Sequence, residues 1–461
     1  MMRDARIRRH ACGRMSAFPD FAGRAVDLAP LYAQHLSTVL ARIEAALARS
    51  GHDHLLIPAG KLKFRFLDDN PYPFAPNPHF LHLVPLTAHT DGWIVVTPGK
   101  RPVLVYHQPA DYWHLTPTAP AGIWVEHFDI HVITEPKQAT AFLPKSGRLA
   151  IVGEADAALE SYVPNNPPAL LEYLHYHRAY KTPYELACLR EASRRAARGH
   201  VAAEAAFRTG ASEYVINRAY LGASGQNDND APYGNIVALN EHAAVLHYQH
   251  QEHVAPAQSR SFLIDAGASF HGYASDITRT HGDGDARFGA LIDGVEKAQL
   301  ALVDQVRNGQ DYRDIHLDAH LRLGGVLREL GVVDMSPEAQ LESGVSAAFF
   351  PHGIGHLIGL QVHDVAGFSA SDGGGVMPKP EGHPFLRLTR TLAPGMVVTI
   401  EPGLYFIDML LAPLRAGPHA SAIDWALVEH LSHFGGVRIE DDVACTEAAP
   451  ENLTRDAFAA L

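Results

Sequence analysis

The chain has 461 residues, 38 Lys and Arg against 51 Asp and Glu, a formal net charge of -13 and 47% hydrophobic residues. That length exceeds one ordinary core and predicts two or three domains. The acidic balance argues against nucleic acid or an anionic membrane as partner, and no run of about 20 apolar residues is available to span a bilayer. The cysteines, Cys12, Cys188 and Cys445, are odd in number, widely spaced and without a C-x-x-C. They fit a reducing, cytoplasmic setting without structural disulfides.

Residues 1–25 form a basic leader that reads as disordered. Met1 to Arg14 lacks the apolar stretch of roughly 7–15 residues that a secretory signal needs, and Met15 is an alternative start. Residues 26–178 read as a self-contained N-terminal α/β domain. Leu31, Leu36, Val39, Leu40, Ile43 and Leu47 recur at helical spacing. Strands are expected at 55–58, 93–97, 102–106 and 149–153, with helices before Gln138 and near Leu170. Asp68-Asp69 reads as solvated loop. A boundary falls at Arg178–Lys181, and residues 179–461 form the second domain. Thr182-Pro183-Tyr184-Glu185 is a capping box with proline at the first helical position, which predicts a helix to about Phe207. Strands at 235–239 and 261–264, helices at 291–306 and 315–330, and strands at 391–401 and 437–443 follow. This order is compatible with two αβ halves related by a pseudo-twofold.

Chemistry concentrates in the last 200 residues. Ser261-Phe-Leu-Ile-Asp265-Ala-Gly267 and Phe270-His-Gly-Tyr-Ala-Ser-Asp276 read as a β-hairpin. The odd separation of the two aspartates would let them face each other across a tight ladder, about 5 Å apart at Cβ. Like charges held so close call for a cation between them. Phe349-Phe-Pro-His352-Gly-Ile-Gly-His356-Leu-Ile-Gly359-Leu-Gln-Val-His363 gathers three histidines among glycines. Met396-Val-Val-Thr-Ile-Glu401 is an apolar strand that delivers a carboxylate and stops at Pro402-Gly403. Gly435-Gly-Val-Arg438-Ile-Glu440 puts Arg438 and Glu440 on one strand face. Asp265, Asp276, His356, Glu401 and Glu440 make a hard, oxygen-rich set suited to two divalent cations, which activate water and polarise a carbonyl. Asn227-Asp-Asn-Asp230 lacks the glutamate of a calcium loop, and Gly373-Gly-Gly375 lacks the lysine of a phosphate loop. With no G-x-S-x-G and no H-E-x-x-H, serine-hydrolase and single-zinc routes have no support.

The order D-x10-D, P-H-G-x-G-H, E-P-G and G-G-V-R-x-E-D resembles the pita-bread metallopeptidases. Glu401-Pro-Gly-Leu-Tyr-Phe-Ile-Asp408, Leu411-Ala-Pro-Leu-Arg415 and Phe66-Leu-Asp-Asp-Asn-Pro-Tyr-Pro-Phe74 are similar to the bacterial Xaa-Pro dipeptidases within that group. The resemblance runs from about Leu31 to the C-terminus and implies an α/β (α+β) chain. Its parts would be an N-terminal creatinase/prolidase-type domain followed by a pita-bread catalytic domain. It implies hydrolysis of Xaa-Pro dipeptides, with Asp276 and Glu440 bridging two metal ions, Asp265 completing one, and His356 and Glu401 the other. Manganese is the expected metal for so many carboxylates. Glu401 would shuttle the proton, and His247 and His363 would stabilise the oxyanion. His352 and Arg387 would grip the proline carboxylate, Arg438 would orient ligands, and Tyr233 would wall the pocket; Arg390 is expected to matter little. A homodimer is implied, with the Asp68-Asp69 segment capping the partner's site. The same chemistry extends in principle to phosphotriesters. The alternatives are an aminopeptidase P-like enzyme acting on longer peptides and a non-catalytic binding protein; the latter should have lost ligands, and none is lost.

Overall fold

The computed structural model describes residues 27–461; the expected leader and Cys12 lie outside the described residues. Helix α1 (Leu28–Ser50) starts where Asp27 accepts from the Ala29 amide, and it ends at Gly51, whose φ of 71° is the left-handed conformation glycine adopts freely. Its buried stripe of Leu36, Val39, Ile43 and Leu47 lies against a five-stranded mixed sheet. The strands are β1 (His54–Pro58), β2 (Trp93–Val96), β3 (Val103–His107), β4 (Asp129–Ile133) and β5 (Leu149–Ile151), in spatial order β4-β3-β2-β1-β5. A short α2 (Pro78–Leu81) follows β1, and α3 (Pro168–Arg178) closes the domain. Edge strand β4 escapes a sequence reading because only Ile133 in it is buried. The helix expected before Gln138 is a 3-10 turn, Pro136–Ala141.

The second domain opens on α4 (Pro183–Arg208). The expected capping box forms: the Thr182 amide donates to Glu185 Oε2 at 2.7 Å, and the Glu185 amide to Thr182 Oγ1 at 3.4 Å. Next come α5 (Glu213–Ser224), β6 (Ile236–Leu239), β7 (Ser261–Asp265), the minor hairpin β8 (Ser269–Phe270) and β9 (Tyr273–Ala274), and β10 (Thr278–Gly282). Antiparallel β10-β7-β6 is backed by α4 and α5. After α6 (Ala286–Val303), α7 (Tyr312–Glu329), α8 (Pro337–Glu342), α9 (Val345–Phe349) and the hairpin β11 (Ser369–Ser371) and β12 (Gly374–Val376), the chain enters β13 (Val397–Ile400) and β14 (Gly403–Tyr405). Helices α10 (Asp408–Ala416) and α11 (Trp425–Ser432) lead to β15 (Gly436–Arg438), β16 (Asp441–Ala444), β17 (Glu451–Asn452) and α12 (Leu453–Ala459). Strand β13 pairs with β16, β14 pairs with β15, and the core of this half is packed by α6 and α7. Two αβ halves therefore face each other, as their order along the chain suggested.

Three local features differ from expectation. The register pairs Asp265 with Thr278, so Asp276 lies diagonally across the ladder rather than opposite. The cause is the inserted β8–β9 hairpin and a tight crossing at Gly267, where a Cβ would meet the Ser275 carbonyl oxygen at 1.9 Å. The strand expected at 391–401 is confined to β13, and the one at 437–443 is broken between β15 and β16. Glu401 and Glu440 sit at these two breaks, where side chains are released from the ladders.

The domains are joined by buried charge. Asp364 accepts from Arg178 Nε at 3.1 Å and from Lys181 Nζ at 2.8 Å, with all three side chains almost inaccessible. Burial raises the Asp364 pKa, but Arg178 and Lys181 outweigh it and hold the carboxyl at about 2. Removing one member of such a cluster strands the others, a cost of about 3–5 kcal/mol. We expect Asp364→Asn to lose about that much stability in denaturant unfolding. An unchanged midpoint would show that the cluster is not holding the domains together.

Candidate metal centre

Five segments deliver five side chains to one point at the inner face of the second domain. Asp265 ends β7, Asp276 precedes β10, Glu401 follows β13 and Glu440 lies between β15 and β16. His356 comes from the glycine-rich stretch after α9, which is stitched onto β13. The His356 amide donates to Thr399 Oγ1 at 3.1 Å, and the Glu401 amide donates to the Ile354 carbonyl at 2.9 Å. Gly355 makes that contact possible: its φ is 152°, and a Cβ there would meet the Thr399 carbonyl at 2.2 Å. His356 Nε2 lies 3.3 Å from Asp276 and 3.9 Å from Glu401. Donor atoms of Asp276, His356 and Glu440 all fall within 4.8 Å of one another. His356 Nδ1 lies 3.0 Å from the Leu357 carbonyl, to which it donates, so the ring presents Nε2 to Asp276 and Glu401.

The electrostatics explain why this cluster calls for cations. Burial pushes Asp265 up to about 6 and Glu401 up to about 7, although Arg438 pulls both down. Burial, followed by repulsion from Asp276, Glu401 and Asp265, drives Glu440 well above the ordinary carboxylate range. Asp276 is lowered despite burial, because His356 and Tyr233 hydrogen-bond to it. Arg438 reaches Asp265 Oδ2 at 2.6 Å and acts on Asp265, Glu401 and Glu440. One guanidinium, with one imidazole that Asp276 and Glu401 shift toward its charged form, faces four buried or part-buried carboxylates, a deficit that divalent ions would fill. The donor set, one imidazole and four carboxylates, fits two such ions.

Around the ligands lies a shell that sequence reasoning largely missed. Thr278 Oγ1 donates to Glu440 Oε2 at 2.8 Å and accepts from Arg438 Nε at 3.1 Å. Arg438 also donates to the Tyr405 hydroxyl at 2.9 Å. The Asp276 amide donates to Asp442 Oδ2 at 3.1 Å, and burial beside Asp276 raises the Asp442 carboxyl well above the ordinary carboxylate range. Thr278, Thr399, Tyr405 and Asp442 are ordinary residue types whose roles arise only from where the fold puts them. Asp442 alone leaves a signal: it extends the charged run that begins at Glu440.

The other predicted residues divide. Tyr233 does more than wall the pocket. Its hydroxyl lies against Asp276 Oδ1 and 2.8 Å from Asp265 Oδ1. A hydroxyl has one proton, so one of these contacts requires a protonated carboxyl, in keeping with the raised Asp265. His363 stacks edge-on to His356 with ring centroids 4.4 Å apart, and burial lowers it to about 4, so it is a neutral imidazole at pH 7. His247 is exposed and lines the same cleft, a space of about 890 Å³ between the two domains that also includes Tyr233, Asp265, Asp276 and His363. Arg387 is exposed and close enough to His363 to act on its charge. His352 has both ring nitrogens engaged, Nδ1 with the Gly353 carbonyl at 2.8 Å and Nε2 with the Tyr405 hydroxyl at 2.9 Å. Arg390 is not the bystander its sequence position suggests. It is buried, lies 3.9 Å over the Tyr176 ring, and donates to the Tyr180 hydroxyl at 3.0 Å, tying this segment to α3.

Comparison with known proteins agrees with this geometry. Residues 30–176 match the Xaa-Pro dipeptidase N-terminal domain, and residues 187–447 match metallopeptidase family M24. A Xaa-Pro dipeptidase of Xanthomonas axonopodis pv. citri is 59% identical over 436 residues, covering 94% of this chain and 99% of that protein. One from Stenotrophomonas maltophilia is 58% identical, covering 94% and 98%. The chain belongs to the Xaa-Pro dipeptidases of metallopeptidase family M24. The fold is shared more widely. A Pseudomonas aeruginosa aminopeptidase superposes with a TM-score of 0.71 at 24% identity, covering 92% of this chain and 98% of that one. Zinc-substituted Escherichia coli aminopeptidase P in complex with product gives 0.70 at 22%, covering 92% and 95%.

The raised carboxylates make cation binding pH-dependent. A carboxyl at about 6 and another at about 7 are partly protonated at pH 6 and must release those protons to ligate. We expect apparent metal affinity to rise as pH goes from 6 to 8, with proton release on binding that shrinks over the same range. Titration calorimetry in buffers of different ionisation enthalpy measures both. A proton release that is zero at pH 6 would contradict the assigned charge states.

Proposed function

We propose that the enzyme cleaves Xaa-Pro dipeptides with two divalent ions, manganese for preference, held by Asp265, Asp276, His356, Glu401 and Glu440. The observation that carries the reading is that a complete candidate ligand set converges, short of positive charge, behind Asp265 and Asp276 in the wall of the interdomain cleft. When bound, the ions supply an activated water and polarise the carbonyl that precedes proline. Glu401 takes the proton of the attacking water and delivers it to the proline nitrogen. His363 and His247, which both line the cleft, hold the carbonyl oxygen as it gains charge. Arg438 and Tyr233 fix the carboxylates that do the binding, so that their geometry is set before substrate arrives.

The free carboxylate of the substrate falls to Arg387. It is a solvent-facing guanidinium beside His363, with the planar fork that carboxylates accept. His352 acts instead through Tyr405 and Arg438, since its ring nitrogens are already bonded. A second copy of the chain would complete the cleft. In support, the loop that carries Asp68 and Asp69 exposes Phe66 at 90% and Leu67 at 91%, an unusual cost for a tip with no partner. No helix among the described residues is long and apolar enough to cross a membrane, and a cytoplasmic peptidase is the reading we favour.

An aminopeptidase P-like enzyme would prefer Xaa-Pro-Xaa and would have little use for Arg387. We therefore expect Xaa-Pro to be cleaved in preference to Xaa-Pro-Xaa. Arg387→Ala should lower kcat/KM for Xaa-Pro by roughly 10- to 100-fold, the range implied by losing one hydrogen bond to a charged group. C-terminally amidated Xaa-Pro, a poor substrate, should change much less. Equal losses on free and amidated substrates would show that Arg387 is structural. Asp276→Asn, which removes a charge shared by both ions, should abolish turnover with the fold kept, as judged by circular dichroism; retained turnover would overturn the bridging assignment.

A further inference from the structure

Outside the cleft the molecule holds a second group of ligating side chains that the mechanism does not use. His316 and His320 lie one turn apart on α7, and His383 comes from the loop that continues to Arg387. One ring nitrogen from each lies within 4.8 Å of the others. His316 Nε2 is 2.9 Å from His383 Nδ1, and the ring centroids of His320 lie 4.9 Å from His316 and 4.7 Å from His383. His316 and His320 are buried and His383 is half-buried, which gives the group one route to solvent.

We propose that His316, His320 and His383 form a site for a single borderline divalent cation of the zinc class, separate from the catalytic centre. The i, i+4 pair on one helix face with a third imidazole from a loop is the arrangement in which three neutral nitrogens hold zinc and leave a fourth position for water. A tetrahedral ion with bonds of 2.0–2.1 Å places its ligand nitrogens about 3.3 Å apart. The His316–His383 gap is thus short by only a few tenths of an ångström. His320 Nδ1 is held by Ser346 Oγ at 3.0 Å, an outer contact of the kind that orients a ligating ring and leaves its other nitrogen free. His316 Nδ1 is buried without a hydrogen-bond partner, so hydrogen bonding alone does not account for this ring. The cluster is also prepared for metal in its charge. Burial holds His316 at about 2 and His320 at about 3, and the groups acting on them are other histidines, so all are in the neutral form that ligates. Tautomer exchange puts the ring proton on whichever nitrogen faces away from the ion. All-imidazole donors suit zinc, copper or nickel and make a poor site for manganese, so the two centres would sort cations by chemistry.

Another cluster among the described residues, His35–His82–Glu185, is tied into the fold through His35 and Glu185, while His82 Nε2 has no hydrogen-bond partner. The two ring nitrogens of His35 are taken by Thr182 Oγ1 and the His82 carbonyl, each at 2.8 Å, and Glu185 belongs to the capping box of α4. An ion on the α7 cluster would instead pin the Arg387 loop to the helix and lie behind Phe350, whose ring is 4.8 Å from both His320 and His352.

The test is total metal per chain after equilibration with micromolar zinc in the presence of manganese and removal of free ions by gel filtration. Elemental analysis should find one equivalent fewer in His383→Ala than in the unaltered enzyme. The same difference should persist in the Asp276→Asn background, where the catalytic centre is impaired, so failure of the dinuclear reading and failure of this one remain distinguishable. His383 is half-buried and on a loop, so its loss should leave the fold intact by circular dichroism; His320→Gln serves as a second variant. Equal metal content in folded His383→Ala and the unaltered enzyme would overturn the proposal, as would a deficit that vanishes in the Asp276→Asn background.

Discussion

Four carboxylates buried around one histidine are the constraint on which this structure turns. Desolvation and mutual repulsion raise Asp265, Glu401 and Glu440, with a single guanidinium in direct contact to oppose them. Such a cluster destabilises a fold unless something else holds it. The holding is done by the elements behind it. Broken ladders release Glu401 and Glu440, the Thr278–Arg438–Tyr405 chain orients Glu440 and Asp265, and Asp442 accepts from the Asp276 amide. The site is therefore set before any cation arrives, and the fold bears its cost.

The first domain contributes shape more than chemistry. The loops that follow β1 and β5, with α2 and α3, form one wall of the cleft, and the buried Arg178–Asp364–Lys181 cluster fixes that wall against the segment that carries His363. Because Asp364 follows His363 directly, the junction between domains and the edge of the active site are one piece of chain. Reorientation of the domains would move His363 relative to His356, which couples cleft shape to the geometry of the oxyanion donors.

Asp265 and Glu401 were legible as candidate ligands because each stands where an apolar run stops beside a glycine or proline, whereas Asp276, His356 and Glu440 stood out through the order of the motifs that carry them. The α4 boundary was legible through its capping box. Other features were not, for identifiable reasons. The relation of Asp265 to Asp276 depends on a two-strand insertion that shifts the pairing to a diagonal, and residue spacing does not encode that. Strand β4 lies at an edge with its polar residues outward. Arg387 and Arg390 are the same residue type three positions apart, yet one faces solvent and the other is buried against Tyr176 of α3 and Tyr180 just beyond it. The α7 histidine cluster needs a loop some 60 residues away to close it, so its i, i+4 pair gave no separate signal.

The account stands or falls on whether the carboxylate quartet holds a pair of ions. Anomalous diffraction from crystals of the manganese-loaded enzyme measures this directly. It should show two peaks about 3.5–4 Å apart, both within ligand distance of Asp276 and Glu440. A single peak, or a second peak away from those two carboxylates, would contradict it.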